Sequence, residues 1–362
     1  MKEKIAIIYA HRNRDVERIK LSFESLKKQS SKNFEVLFVD YGSDESLTQN
    51  LKKLVSEYEF VNSFFLPVPQ LLWNKSKALN YGILRTDAQY IFISDVDIIF
   101  HPLAIETLDQ LTHPEKFILF KMGYLDKKES LVLKNLRNFD GLIASRVGNV
   151  NGMVLSTRKA LLEVNGFDEF FHFYGAEDVD LFQRMKNAGY NEKISDKLYF
   201  YHNWHQSFQG SEDRVVTRNP RMKNIMRINE EHYLRNLDRK ILKPERQPSM
   251  GEIIGVSRSL VLNKPTKDYI LPNITARVEH FLEEELLSLD NEVVKAKFIV
   301  DPYYNSLKYK AKKKLGKQTQ SYLSLKEVND RILKKIVYNY RNHNYSFTIS
   351  PELDSIEFRI EL

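Results

Sequence analysis

Through its first hundred residues the chain alternates between two hydrophobic periods. Short apolar runs at Ile5–Tyr9, Phe34–Val39, Phe60–Leu66 and Tyr90–Ser94 read as strands buried on both faces. Between them, Val16–Lys28 sets Val16, Ile19, Phe23 and Leu26 on one helical face, and Leu47–Tyr58 and Lys75–Leu84 carry the same spacing. This strand–helix–strand rhythm predicts an α/β fold with a mostly parallel, doubly wound sheet. Its carboxyl edge would gather three polar clusters, Tyr9–Arg14, Asp40–Asp44 and Asp95–Asp97, where such sheets bind their ligands.

The alternation continues to about residue 230. Ala104–Leu111, Thr157–Val164 and Asp178–Ala188 are predicted helices, the last two closed by Asn165-Gly166 and Gly189. Phe117–Met122, Gly152–Ser156 and Lys197–Phe200 are predicted strands. The proline-bearing stretch Leu242–Pro248 reads as a linker. Beyond it, Ile274–Ser288 and Ser324–Tyr340 are helical, and Ser346–Ile349 and Ile356–Leu362 resemble strands. The expected organisation is a large α/β domain over residues 1–240 and a smaller α+β domain over 241–362, with no internal repeat.

The 362 residues suffice for two cores, and a 42% hydrophobic content marks a globular chain. Cysteine is absent, which excludes disulfides, thiolate zinc sites and a cysteine nucleophile. Met1-Lys2-Glu3-Lys4 runs straight into a strand with no signal-peptide core, and no stretch reaches membrane-spanning length. These features suit a cytoplasmic location. The net charge of +7 favours anionic ligands or an anionic membrane surface, and no nucleic-acid motif accompanies it.

Candidate chemistry sits at the ends of the predicted elements. Asp95 and Asp97 follow a buried strand, where carboxylates suit a hard divalent cation. Glu177 and Asp178 open a helix behind Gly175; the helix dipole accounts for acids there, and a carboxylate in reach of an acceptor hydroxyl can also serve as general base. Of Phe170, Phe171, Phe173 and Tyr174, any not taken into the core can stack on a sugar ring. His202, with His205 in reserve, could complete a coordination shell begun by Asp97. Arg12 and Arg14 follow the first strand and suit a phosphate. Lys308, Lys310, Lys312, Lys313, Lys314 and Lys317 form a basic run that reads either as a solvated helix face or as a surface for an anionic membrane or polysaccharide.

Four segments in this order resemble the family-2-type glycosyltransferases of the GT-A fold, and more narrowly the β-1,4-galactosyltransferase and bacterial chondroitin-polymerase branch. They are Ile7–Arg14, Asn74–Gly82, Phe92–Asp97, and Asn165-Gly166-Phe167-Asp168 followed by Gly175–Asp180. The resemblance covers roughly residues 4–206. It implies transfer of a galactose- or N-acetylhexosamine-type sugar from a UDP-sugar to a saccharide or lipid-linked saccharide acceptor, with inversion, in bacterial surface polysaccharide synthesis. It also implies a Mn2+ or Mg2+ ion held by Asp97 and His202, and Asp178 as base with Glu177 beside it. Arg12, Arg14, Asp40, Lys75, Asp95 and Tyr174 would line the nucleotide-sugar site. Residues 241–362 match no pattern; their expected roles are acceptor positioning, peripheral membrane contact or self-association.

Three departures from the family pattern stand out. The usual Asp-Asp after the second strand is Asp40-Tyr41, the usual Gly-Gly before the acidic pair is Gly175-Ala176, and Tyr199 stands where the galactosyltransferases place a methionine ligand. Two other functions compete. A nucleotidyltransferase making sugar nucleotides would need a glycine-rich loop after the first strand, and Tyr9–Arg14 holds no glycine. A catalytically inactive glycan-binding module would not need Asp97, Asp178 and His202 together.

Overall fold

The predicted strands form because each apolar run is long enough to cross a core and is followed by a helix whose apolar stripe covers it. The computed structural model describes residues 4–133, 139–148, 152–205 and 214–362. In chain order the first elements are β1 (Ile5–His11), α1 (Val16–Lys27), β2 (Phe34–Tyr41), α2 (Glu45–Val55), β3 (Val61–Leu66), α3 (Lys75–Ile83) and β4 (Tyr90–Ser94). Asp15 caps α1 by accepting from the Glu17 amide at 3.0 Å, and Asn74 caps α3 by accepting from the Lys77 amide at 2.8 Å. There follow β5 (Ile98–Phe100), α4 (Ala104–Leu111), β6 (Lys116–Phe120), β7 (Met122–Tyr124), α5 (Lys127–Val132), β8 (Arg146–Gly148), β9 (Val154–Thr157), α6 (Arg158–Glu163), α7 (Glu177–Asn187), β10 (Asn191–Ser195) and β11 (Phe200–His202).

Seven strands make one sheet in the order β10-β6-β9-β4-β1-β2-β3, parallel throughout except where β9 pairs with β4 and β6. Alternation sorts the side chains: Ile5, Ile7 and Tyr9 enter one core with Phe23, Phe38 and Phe92, while Ala6 and Ile8 enter the other with Leu79, Ile83 and Leu161. A second sheet, β5-β11-β7-β8, joins the segments that leave the first. The predicted strand Phe117–Met122 is split at Lys121, where the chain crosses from one sheet to the other. The run expected at Lys197–Phe200 becomes a strand only at Phe200–His202, because pairing with Ile98–Phe100 begins there.

The chain divides into two compact units. The first is Met1–Pro69, Trp73–Ser207 and Met226–Ile253; the second is Gln70–Leu72, Phe208–Ile225 and Ile254–Leu362. In the first, the Leu242–Pro248 stretch has no regular structure but is fastened down. The Gln247 amide donates to the Asn165 and Phe167 carbonyls at 3.0 and 3.1 Å and accepts from the Glu169 amide at 2.8 Å. The second unit holds a four-stranded sheet of β12 (Lys267–Pro272), β13 (Val293–Ile299), β14 (Tyr345–Ile349) and β15 (Ser355–Glu361), in the order β12-β13-β15-β14. Only β12 and β13 are parallel. Among the described residues, no helix is long and apolar enough to cross a membrane.

Candidate active site

Backbone pairing brings the acidic turn and the histidines together. Asp97 lies between β4 and β5, and its neighbour Ile98 stands opposite His202 in the β5–β11 ladder. The Asn203 amide then donates to the Asp97 carbonyl at 3.0 Å, which holds the chain after β11 against the acidic turn. As a result the Nε2 atoms of His202 and His205 lie 3.6 and 3.4 Å from Asp97 Oδ2. One ligand atom from each of the three residues falls within 4.8 Å of the other two. Burial pushes the Asp97 carboxyl up, but the His205 hydrogen bond and the charges of His202, His205 and Arg14 outweigh it and hold the carboxyl below the usual range. Its other oxygen, Oδ1, is buried with no hydrogen-bond partner among the described residues. A buried carboxylate oxygen in that state is costly unless something else binds it. One carboxylate and two imidazoles, with a donor atom to spare, fit a divalent ion. The Tyr124 ring packs beside His202 at 5.5 Å and fixes its orientation.

Two residues before Asp97, Asp95 anchors a second cluster. Lys75, at the first turn of α3, lies 2.7 Å from Asp95 Oδ1 and 3.7 Å from Glu177 Oε1. The lysine therefore clasps the end of β4 to the start of α7. Burial alone would lower its pKa; the Asp95 and Glu177 charges and the Asp95 hydrogen bond win and raise it, so it stays protonated. Burial raises the Glu177 carboxyl above the ordinary range, helped by the Asp178 and Asp95 charges and opposed by Lys75. Glu177 also accepts from the Gly175 amide at 3.1 Å.

The turn before α7 is backbone-strained. Ala176 takes a left-handed φ of 71° as the N-cap, and Phe173 takes 62°. The loop holds because Asn229, from the helix Ile225–Asp238, donates to the His172 and Tyr174 carbonyls at 3.1 and 3.0 Å. Tyr174 thereby leaves its ring exposed, whereas Phe170 and Phe171 are taken into the core. Asp178 opens α7 beside Gly152, where a Cβ would lie 3.4 Å from its Oδ2. Gly152 turns with a left-handed φ of 74°, and a side chain there would meet that carboxylate in ordinary van der Waals contact. Deeper in α7, Asp180 and Arg184 pair at 2.7 Å with both side chains 1% exposed, and Arg184 donates to the Val164 and Gly166 carbonyls. This fixes the helix that presents Glu177 and Asp178.

At the opposite side of the sheet edge, Asp40 is 1% exposed and its oxygens are engaged. His11 Nδ1 lies 2.7 Å away, and Ser43 donates to it through both its hydroxyl and its amide. His11 and Asp40 are register partners across β1 and β2. Asn13, at a left-handed φ of 50°, then ties the two loops by accepting from the Asp44 amide and donating to Ser43. Arg12 and Arg14 stand on this braced loop; Arg12 donates to the Pro69 carbonyl at 2.7 Å, and Arg14 is exposed but close enough to Asp97 for its charge to be felt there.

The fold thus brings Asp95, Asp97, Lys75, Glu177, Asp178, His202 and His205 to one edge, with Tyr174 exposed beside them. It places Asp40 beneath that edge, among protein partners. His11, Ser43, Tyr124 and Gly152 are not among the site residues expected from the sequence. For His11 a signal exists, a polar residue at the end of an apolar strand level with the Asp40 of its neighbour. The other three depend on loops and strand pairings that hydrophobic pattern does not encode.

Residues 6–135 match the family model described as glycosyl transferase family 2, and residues 144–206 match the one described as the N-terminal domain of galactosyltransferase. No curated protein matches the chain. Among solved structures, the mannosyltransferase PcManGT from Pyrobaculum calidifontis, in complex with GDP-Man and Mn2+, is similar at 13% identity over 59% of this chain and 60% of its own, with a TM-score of 0.43. S. aureus TarS 1–349 is similar at 18% identity over 55% of this chain and 60% of its own, with a TM-score of 0.42. Its complex with UDP-GlcNAc gives 16% identity over 66% and 70%, with a TM-score of 0.44. The chain spans 60% of the length of each of the first two.

Proposed function

We propose, on the premise that this chain is a family-2 glycosyltransferase of the GT-A fold resembling the galactosyltransferase branch, that it is a metal-dependent, inverting enzyme. It would move a hexose or N-acetylhexosamine from a UDP-sugar to a saccharide acceptor in the making of a bacterial surface polysaccharide. The observation that carries this reading is the Asp97–His202–His205 group, with its unpartnered buried oxygen, on the same turn as the Lys75-clasped Asp95.

Asp97, His202 and His205 would hold the ion. Two imidazoles favour Mn2+ over Mg2+, which prefers an all-oxygen shell. When bound, such an ion neutralises charge on a departing nucleoside diphosphate. Arg12 and Arg14 face the same diphosphate, and Arg14 already contributes to the field at Asp97. Asp95, steered by Lys75, accepts hydrogen bonds from donor hydroxyls. Asp40 acts through His11, bracing the Arg12–Arg14 loop. Tyr174 offers its ring as a stacking face for a sugar. Asp178 takes the proton from the acceptor hydroxyl as that oxygen attacks the anomeric carbon from the face opposite the leaving diphosphate. Glu177, whose carboxyl burial holds above the ordinary range against the pull of Lys75, accepts a hydrogen bond from a sugar hydroxyl beside Asp178. One displacement then inverts the anomeric centre, and the alignment of two sugars on one rigid edge supplies much of the rate.

The test is release of nucleoside diphosphate from a panel of nucleotide sugars, with and without oligosaccharide acceptors. Acceptor-stimulated UDP release is expected. Pyrophosphate release from UTP and a sugar 1-phosphate would instead make the chain a nucleotidyltransferase, and sugar binding with no turnover would make it a binding module.

A further inference from the structure

The second unit carries a short helix, Leu307–Lys314, whose outward face sets exposed apolar residues among lysines. Tyr309 faces inward, buried at 4%, with the Tyr303, Tyr304 and Tyr322 rings 5.7, 5.8 and 5.1 Å from its own. Ser306 caps the helix by accepting from the Tyr309 amide at 3.1 Å. The rotation of the helix is therefore fixed. Positions spaced by four share a helical face, so Leu307, Ala311 and Leu315 form a stripe turned away from Tyr309. The two leucines are 85% and 70% exposed, and Ala311 is exposed between them. Lys310 and Lys314 flank the stripe on one side, Lys308 and Lys312 on the other, with Lys313 and Lys317 adjoining. From Pro302 to Lys326 there is no Asp or Glu. None of the six lysines from Lys308 to Lys317 takes part in an ion pair among the described residues.

A solvated basic helix has no use for two leucines held in water, where their apolar surface stays unburied. A polyanion such as an acidic polysaccharide would use the lysines and leave the leucines idle. An apolar stripe between rows of lysines matches the layering of one partner, a bilayer rich in anionic headgroups, where the leucines enter the acyl boundary and the lysines meet phosphate. We propose that this helix is an interfacial docking element that seats the protein on an anionic membrane. The assignment stands on the second unit alone and does not rest on the transferase reading.

The test is sedimentation of the full chain with vesicles of phosphatidylcholine, with or without about one-third phosphatidylglycerol. Binding is expected only to the anionic vesicles, and raised salt should weaken it. Each interfacial lysine contributes about 1 kcal/mol, so Lys310→Gln with Lys314→Gln should weaken partitioning about 30-fold. Leu307→Ser with Leu315→Ser should weaken it at least about 10-fold, since each leucine loses its burial in the acyl boundary. Leu307→Trp should bind normally and shift its emission to the blue on addition of anionic vesicles. All these positions are exposed, so the fold is not at stake. No binding, or binding that neither pair of substitutions weakens, overturns the proposal. Binding lost with the lysines but not with the leucines, with no blue shift in Leu307→Trp, also overturns it and marks the face as a polyanion surface instead.

Discussion

Replacing Lys75 with methionine removes the charge that holds the active edge together while keeping the aliphatic length of the side chain. The lysine ammonium lies 2.7 Å from Asp95 and 3.7 Å from Glu177. At an effective dielectric of about 20, those separations give gross attractions of about 6 and about 4 kcal/mol. Most of this is offset by the cost of desolvating the lysine and by water at Asp95, whose side chain is 41% exposed. Removing one member of a fully buried pair costs about 3–5 kcal/mol, and partial exposure brings the expected loss to about 2–3 kcal/mol. For a unit of this size that is a fall in melting temperature of about 4–12 °C. The loss should depend on pH. Burial, with the Asp178 and Asp95 charges, already holds the Glu177 carboxyl high, and Lys75 is the main charge opposing that. Without the lysine the carboxyl climbs further. A carboxyl raised in the folded state favours folding at acid pH and loses that contribution as pH rises through its folded pKa. The deficit of Lys75→Met should therefore be larger at about pH 8 than at about pH 5, because the raised Glu177 carboxyl takes up a proton more readily as pH falls. Melting curves across that range decide it. A variant as stable as the parent at pH 8, or a deficit constant with pH, would refute the reasoning.

Three further outcomes are expected. Asp178→Asn keeps shape but cannot take a proton, so turnover should fall by about 10²–10⁴-fold with donor affinity little changed, as measured by single-turnover kinetics beside donor titration. An α-linked donor should yield a β-linked product in the anomeric proton signal, and an α-linked product would exclude single displacement. Arg184→Met should destabilise the first unit by about 3–5 kcal/mol in denaturant unfolding, because it strands the buried Asp180 carboxylate and frees the Val164 and Gly166 carbonyls.

How much of this was written in the sequence depends on which physical signal each element carries. The four strands and three helices up to Ser94 are legible because their apolar runs are long and their caps are strong, as at Asp15 and Asn74. The helix starting at Glu177 is legible for a similar reason, with acids at its start and Gly189 at its end. The short strands Ile98–Phe100, Met122–Tyr124 and Arg146–Gly148 carry only three residues each, too few to show a period, and they form because each finds a partner in the second sheet. Strands Lys267–Pro272 and Val293–Ile299 escape notice because charged residues break their apolar runs, Lys267 and Asp268 in the first and Lys295 and Lys297 in the second. At the site, Asp97 and Asp95 are visible as carboxylates that end an apolar run. The choice between His202 and His205 is not visible, since both follow the same strand, and the turn after His202 carries the second imidazole to the same carboxylate oxygen. Asp40 reads as a ligand because it stands at the right strand end; only pairing with His11 across the β1–β2 register shows that its oxygens are engaged within the protein.

The central claim, sugar transfer supported by an ion on Asp97 and the two histidines, is tested most directly by nucleoside diphosphate release from the preferred donor under chelation. The parent protein in EDTA should be inactive and should regain full turnover on titration with Mn2+, while Asp97→Ala, equally well folded, should stay inactive at every Mn2+ concentration. Full turnover in EDTA, or Mn2+-stimulated turnover in Asp97→Ala matching the parent, would contradict the account.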